Sequence, residues 1–295
     1  MFRPASRTTH WITLLTDRRF GVSTHLFHEH RLAREHLVHI AAHGFDAVEV
    51  FATRSHFDYT DAAAVDQLAE WLSDTRLELH SIHAPAFEAL RDGQWLGPLS
   101  NASGDEGRRK TAVAEAAAAV QMARRIPFRY LVVHVGVPDG AGETRADNQA
   151  DAAFRSVEAI ATIAAEAGVQ VALEVIPNAL SSGPALVQLV EEQLEGLDVG
   201  VCLDYGHAHL MGDLSDTIET LSGHLFTTHV HDNQGRRDDH LVPFQGSIDW
   251  AAAVVETQKV GYDGVMMFEV AGGADPLDVL KRTVKARERL EKSFV

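Results

Sequence analysis

The stretch 199-VGVCLDYGHAHL-210 decides how the chain is read. Val199 to Leu203 is a short apolar run that ends in an acid, Asp204, followed by a tight Tyr-Gly step and two histidines, His207 and His209. An apolar run of this length between turn formers reads as a buried strand of a parallel sheet. Asp204 then sits at the C-terminal mouth of that strand, with His207 three residues on in the following loop. Carboxylate and neutral imidazole are the usual ligands of zinc, manganese and iron, so this pairing points to a divalent metal site.

Outward from this stretch, the chain repeats one unit. Strands are expected at Phe20–Thr24, Ala47–Val50, Leu77–His83, Tyr130–Val135, Val169–Val175, the Asp204 strand, Leu225–Val230 and Gly264–Glu269. Amphipathic or alanine-rich helical runs alternate with them: Arg31–His43, Asp61–Asp74, Arg108–Arg125, Asp147–Ala167, Pro184–Leu194, Leu214–Ser222, a start at Ser247–Asp249, and Pro276–Glu291. Gly44 and Gly168 supply C-terminal stop signals, and Pro127 ends the alanine-rich run. Residues 85–107, rich in Gly, Pro and Ser and holding Trp95, read as a long loop of the kind that covers binding sites. Unbroken βα alternation implies a parallel sheet with right-handed crossovers. Eight repeats in a chain of 295 residues fit one closed (β/α)8 TIM barrel in the α/β class, over residues 20–295. Residues 1–19 read as a leader to the first strand.

Composition narrows the function. Forty-two acids against 26 bases give a net charge of −16, which argues against nucleic acid and anionic membranes as partners. The single cysteine, Cys202, allows no internal disulfide and fits a reducing, cytoplasmic setting. It alternates in phase with Asp204 and so is expected inside the barrel. No apolar run reaches the ~18 residues of a membrane span. The first strand is not followed by G-x-G-x-x-G, and no phosphate-binding G-x-x-x-x-G-K-[ST] occurs. The histidines His36, His39 and His43 read as a solvated helix face.

In a barrel of this kind chemistry comes from the strand ends at the C-terminal mouth. Read in order, those ends are His83, His134, Glu174, Asp204, His229 and Glu269, with His207, Asp238 and His240 in the loops just beyond. Six successive strands ending in His, Glu or Asp are hard to explain as structure alone. Carboxylates gathered at one mouth repel one another unless a cation neutralises them.

These motifs resemble the xylose-isomerase-like barrel superfamily, which holds sugar isomerases and epimerases and also endonuclease IV, a zinc-dependent abasic-site nuclease. The resemblance is carried by HAP at 83–85, HVG at 134–136, LEV at 173–175, CLDYGHA at 202–208, HVHD at 229–232, DDH at 238–240 and FEV at 268–270. It implies one divalent ion, Mn, Mg, Co or Zn, held by Glu174, Asp204, His229 and Glu269, with His207 reaching the substrate. His231 is the alternative should His229 not be the ligand. The endonuclease's trinuclear zinc ligands also recur by type, as His83, His134, Glu174, Asp204, His207, His229, Asp238, His240 and Glu269, so the resemblance leaves open a capacity for up to three ions. Against DNA repair stands the charge, since three divalent ions would bring −16 only to −10. The loop 235-GRRDDHLVPFQGSIDW-250 also follows the sugar-isomerase pattern, except that Phe244-Gln245-Gly246 replaces the usual G-x-G.

The expected activity is therefore isomerisation or epimerisation of a sugar, sugar phosphate or polyol ketone through a metal-stabilised enediolate. Glu174 and Glu269 are expected to serve as paired acid and base. Trp95 and Glu49 are expected on the substrate side, with Arg236 and Arg237 placed to meet an anionic group. The alternatives are an endonuclease IV-like phosphodiesterase and a barrel that binds metal or sugar without turnover. Homo-oligomer formation is left open.

Overall fold

The computed structural model describes residues 18–140, 145–212 and 214–294. Most of the expected leader, residues 1–17, lies outside the described residues.

Among the described residues there are ten strands: β1 (Phe20–Ser23), β2 (Ala47–Phe51), β3 (Glu78–His83), β4 (Phe87–Arg91), β5 (Gln94–Pro98), β6 (Tyr130–His134), β7 (Gln170–Glu174), β8 (Val199–Asp204), β9 (Leu225–Val230) and β10 (Met266–Phe268). Eight of them close into an all-parallel barrel in the order β1-β10-β9-β8-β7-β6-β3-β2. The helices are α1 (Arg34–Ala42), α2 (Ala62–Thr75), α3 (Glu106–Val120), α4 (Ala150–Glu166), α5 (Gly183–Gln188), α6 (Tyr205–Leu210), α7 (Leu214–Thr220), α8 (Trp250–Lys259) and α9 (Pro276–Glu291). None of the described helices is long and apolar enough to cross a membrane.

Strand alternation divides the side chains between two environments. On β8, Val199, Val201 and Leu203 join the large apolar layer beneath the helices, whereas Cys202 belongs to a small cluster with Tyr130, Val132 and Ala172. Val171 and Leu173 of β7, Leu131 and Val133 of β6, and Val48 and Val50 of β2 also enter the outer layer. The opposite phase is left for Glu174, His134 and Glu49. Register aligns the mouth: His134 pairs with Glu174, Asp204 with His229, and His229 with Met267.

Two loop expectations change. The stretch 85–107 is not a structureless loop, because β4 and β5 pair as an antiparallel hairpin. Its turn is Asp92-Gly93, both at positive φ (50° and 73°), the backbone that a two-residue hairpin requires. His207 lies not in a loop but in the short helix α6, which Asp204 caps by accepting the His207 backbone N–H at 2.7 Å. Strand eight is also shorter than expected, so Glu269 stands just past β10.

Candidate metal centre and active-site cavity

The cap that starts α6 also aims its histidine. His207 Nδ1 donates to the Val175 carbonyl at 3.1 Å, which leaves Nε2 facing Asp238 Oδ2, also at 3.1 Å. Gly206 lets His231 pass beneath the helix, since a Cβ at 206 would lie 2.1 Å from the His231 ring. His231 Nε2 donates to Asp204 at 2.9–3.0 Å, and its Nδ1 is buried without a hydrogen-bond partner.

Glu174, Asp204, His229 and Glu269 converge, with one donor atom from each lying within 4.8 Å of the others. His229 Nδ1 stands 3.3 Å from Glu174 Oε1, 3.4 Å from Glu269 Oε2 and 3.9 Å from Asp204 Oδ2. All four residues are buried, yet both Glu174 carboxylate oxygens and His229 Nδ1 lack a hydrogen-bond partner. Orphaned donors facing one another in a buried place fit a cation, because only a shared positive charge would satisfy them all.

Two further donor groups flank this one. His83 and His134 present Nε2 to Glu174 Oε2 at 3.2 and 3.1 Å. On the other side stand His207, His231, Asp238 and His240. His240 sits at φ +43°, a strained backbone for this residue, held by Nδ1 to the Glu269 carbonyl (2.8 Å) and Nε2 to Asp238 (3.0 Å). His83 Nδ1 likewise donates to the Ala84 carbonyl at 2.8 Å. Backbone carbonyls thus set three imidazoles with Nε2 turned inward, the orienting contact found behind metal-bound histidines.

The charge balance follows from this crowding. Burial opposes charge on His83, His240, Glu174 and Glu269. For His83 and His240 the neighbouring carboxylates outweigh burial, Glu174 beside His83 and Asp238 beside His240, and each imidazole is raised to about 9. Burial would also raise Glu174, but His134 and His229 hold its carboxyl well below the usual range. Glu269 goes the other way, pushed up by burial and by Glu174, with His229 only partly offsetting.

A cavity of about 440 Å3 opens above these groups. Its floor is ionisable, and one wall is aromatic: Trp95 stacks on His28 (5.4 Å between centroids) and Phe87 (5.2 Å), with Phe51 edge-on at 5.8 Å. Trp95 therefore lines the cavity. Arg236 and Arg237 do not; both are exposed, outside the cavity lining, and Arg237 pairs with Asp239 at 3.2 Å. Glu49 is also misplaced by the sequence reading, being fully buried below the mouth rather than at the cavity wall. His25, His28, Phe51 and Phe87 escaped notice; the first two lie in HLFHEH, whose only signal was richness in histidine. A second cavity of about 510 Å3, lined by Arg54, Glu88, Arg91 and Glu115, touches none of the donor groups.

The loop after β9 is pinned by Asp232, which accepts from Trp250 Nε1 at 2.9 Å and from the Phe244 backbone N–H at 2.9 Å. Phe244 takes φ +71°, the glycine-like backbone, where the related pattern carries glycine. Asp232 holds that conformation in place.

A barrel whose strands deliver this donor set in this order agrees with the family description "xylose isomerase-like TIM barrel", which matches residues 37–292. The chain belongs to that family. Among solved structures, a D-tagatose 3-epimerase-like protein superposes with a TM-score of 0.75 at 26% identity, covering 93% of this chain and 96% of its own. D-psicose 3-epimerase from Clostridium cellulolyticum, solved with D-tagatose, gives 0.75 at 18% identity, covering 93% and 99%. The IOLI protein, solved with a zinc atom, gives 0.73 at 18%, covering 94% and 99%. At the lower identities the likeness is one of fold.

Proposed function

We propose that the chain is a divalent-metal-dependent epimerase or isomerase of a sugar or sugar-like polyol ketone. The observation that carries this is the placement of Glu174 and Glu269. Glu174 ends β7 and Glu269 follows β10; they stand 3.3 and 3.4 Å from His229 Nδ1 and border one cavity. Glu174, Asp204, His229 and Glu269 would hold the ion. When bound, a divalent cation supplies charge that polarises a carbonyl and acidifies the neighbouring C–H.

The chain's own groups do the rest. One carboxylate removes the proton from the carbon beside the carbonyl, and the other returns one from the opposite face. His207, fixed by Val175, offers Nε2 to a substrate oxygen. The aromatic wall of Phe51, Phe87 and Trp95 packs against the sugar's C–H surface and keeps water from the reacting carbon. The sugar-epimerase neighbours support a small-molecule substrate. One buried thiol, Cys202, fits a cytoplasmic setting.

The test is incubation of the manganese- or cobalt-loaded protein with free ketohexoses in deuterium oxide. A product epimer or isomer carrying solvent deuterium at the reacting carbon is expected. Sugar binding with no turnover of any ketohexose or aldohexose would leave the non-catalytic barrel as the better reading.

A second reading has its own observation. All nine donors of the endonuclease IV pattern stand in three groups, with Glu174 shared between two of them. That arrangement could hold up to three ions and serve phosphodiester hydrolysis. Metal analysis separates the readings: three zinc ions per chain with cleavage of abasic duplex DNA favour hydrolysis, and about one manganese, cobalt or magnesium favours the isomerase.

A further inference from the structure

One carboxylate of the barrel interior lies below the mouth, against His229. Glu49 points inward from β2, is fully buried, and borders no cavity lining. Its Oε2 receives two donors: His229 Nε2–H at 3.1 Å and Ser81 Oγ–H at 2.8 Å. Ser81 is its register partner on β3, so the contact is built into the sheet. Oε1 has no partner. A buried carboxylate is costly, and neutral residues of like size would fill the same space more cheaply.

The contact sets His229 apart from the carbonyl-held imidazoles; His231, on Asp204, is turned the same way. His83, His207 and His240 are held by backbone carbonyls through Nδ1 and present Nε2. His229 is reversed. It gives Nε2 to a side-chain carboxylate and turns Nδ1 toward Glu174, Asp204 and Glu269. A neutral imidazole carries its proton on one nitrogen only, and a carboxylate below can accept only from a protonated Nε2.

We infer that Glu49, braced by Ser81, is the positioning residue that fixes His229 as an Nδ1 donor and strengthens it as a ligand. The inference rests on the four-donor centre proposed above. Glu49 is absent from the lining of the mouth cavity and reaches the central group through its hydrogen bond to His229. The carbonyl contacts of His83, His207 and His240 do not involve Glu49, whose hydrogen bond reaches one donor of the central group.

The experiment compares the full-length wild type with Glu49→Gln, Glu49→Ala and Ser81→Ala, each stripped of metal and titrated with cobalt(II) against a competing chelator. Cobalt affinity is expected to fall about 10–100-fold in Glu49→Ala, in line with loss of a contact behind a metal-bound histidine, and by less in Glu49→Gln, which keeps an acceptor oxygen. Ser81→Ala should give the smallest loss. The visible absorption of the bound cobalt should shift in both Glu49 variants, a signal that general loosening of the barrel does not produce while the metal-free melting temperature is unchanged. Wild-type affinity and spectrum in the Glu49 variants overturn the inference and leave the metal centre standing. A wild type that binds no cobalt overturns the centre itself. Should both Glu49 variants fail to fold, Ser81→Ala decides, since unchanged affinity and spectrum there refute the brace.

Discussion

Asp204 and His231 lie 2.9 Å apart, and that contact joins two donor groups. Asp204 faces the central group with one oxygen near His229, while the His231 ring reaches from it toward Asp238, Nδ1 standing 3.9 Å from Oδ1. Charge placed in one group is therefore felt in the other through His231, and also through His207, whose Nδ1 stands 3.4 Å from Asp204 Oδ2 while its Nε2 faces Asp238.

Asp204→Asn is accordingly expected to lose most divalent metal while keeping the fold, and Glu174→Gln to do the same. Barrel mouths can be altered without unfolding the barrel beneath. Metal analysis with far-ultraviolet circular dichroism checks this, and wild-type metal content in both variants would refute the assigned ligands.

Glu269→Gln should lower turnover at least ~10²-fold, the usual cost of losing an acid or base group. Solvent deuterium in the product distinguishes the step. Product formed at full rate over many turnovers without deuterium would indicate a hydride shift instead and remove the acid/base roles of both glutamates.

Trp95→Ala should raise KM by about tenfold with little change in melting temperature, because the ring stacks on His28 and Phe87 in the cavity wall rather than in the barrel core. Saturation kinetics and a thermal melt run side by side test the split. An equal loss of stability would mean that the hairpin is a packing element.

Acid should destabilise the fold through His56. Burial lowers this imidazole to about 4 despite its bond to the His30 carbonyl (2.6 Å), whereas the unfolded chain titrates near 6.5. Between those values the unfolded state binds the extra proton, so stability falls as pH drops from about 6.5 to about 4. His56→Asn, which retains a donor toward His30, should flatten part of that slope in denaturant titrations across the range. An unchanged slope would assign the loss to other groups.

Much of the architecture was legible because strand alternation and strand-end chemistry are both written at period two. Glu174 and Asp204 could be placed from sequence since each ends an apolar run on an inward phase, and His229 stands near the end of its own strand. Height within the barrel is not written in the same way. Glu49 shares the inward phase but sits one level lower, where it meets Ser81 and His229 rather than a substrate. The hairpin was missed because FEALR and QWLGP are too short and mixed to show alternation, although Asp92-Gly93 is a turn signal. The arginines at 236 and 237 were over-read because charge alone does not say which way a loop faces.

The position of Cys202 gives the molecule an internal clock. The chain's only thiol is fully buried inside the barrel, and burial pushes its ionisation upward, so no reagent reaches a reactive thiolate while the strands stay closed. Modification by a thiol-specific dye must then wait for the barrel to open. Under conditions where labelling outpaces reclosing, its rate reports how often the whole sheet comes apart. No engineered probe is needed to time that event.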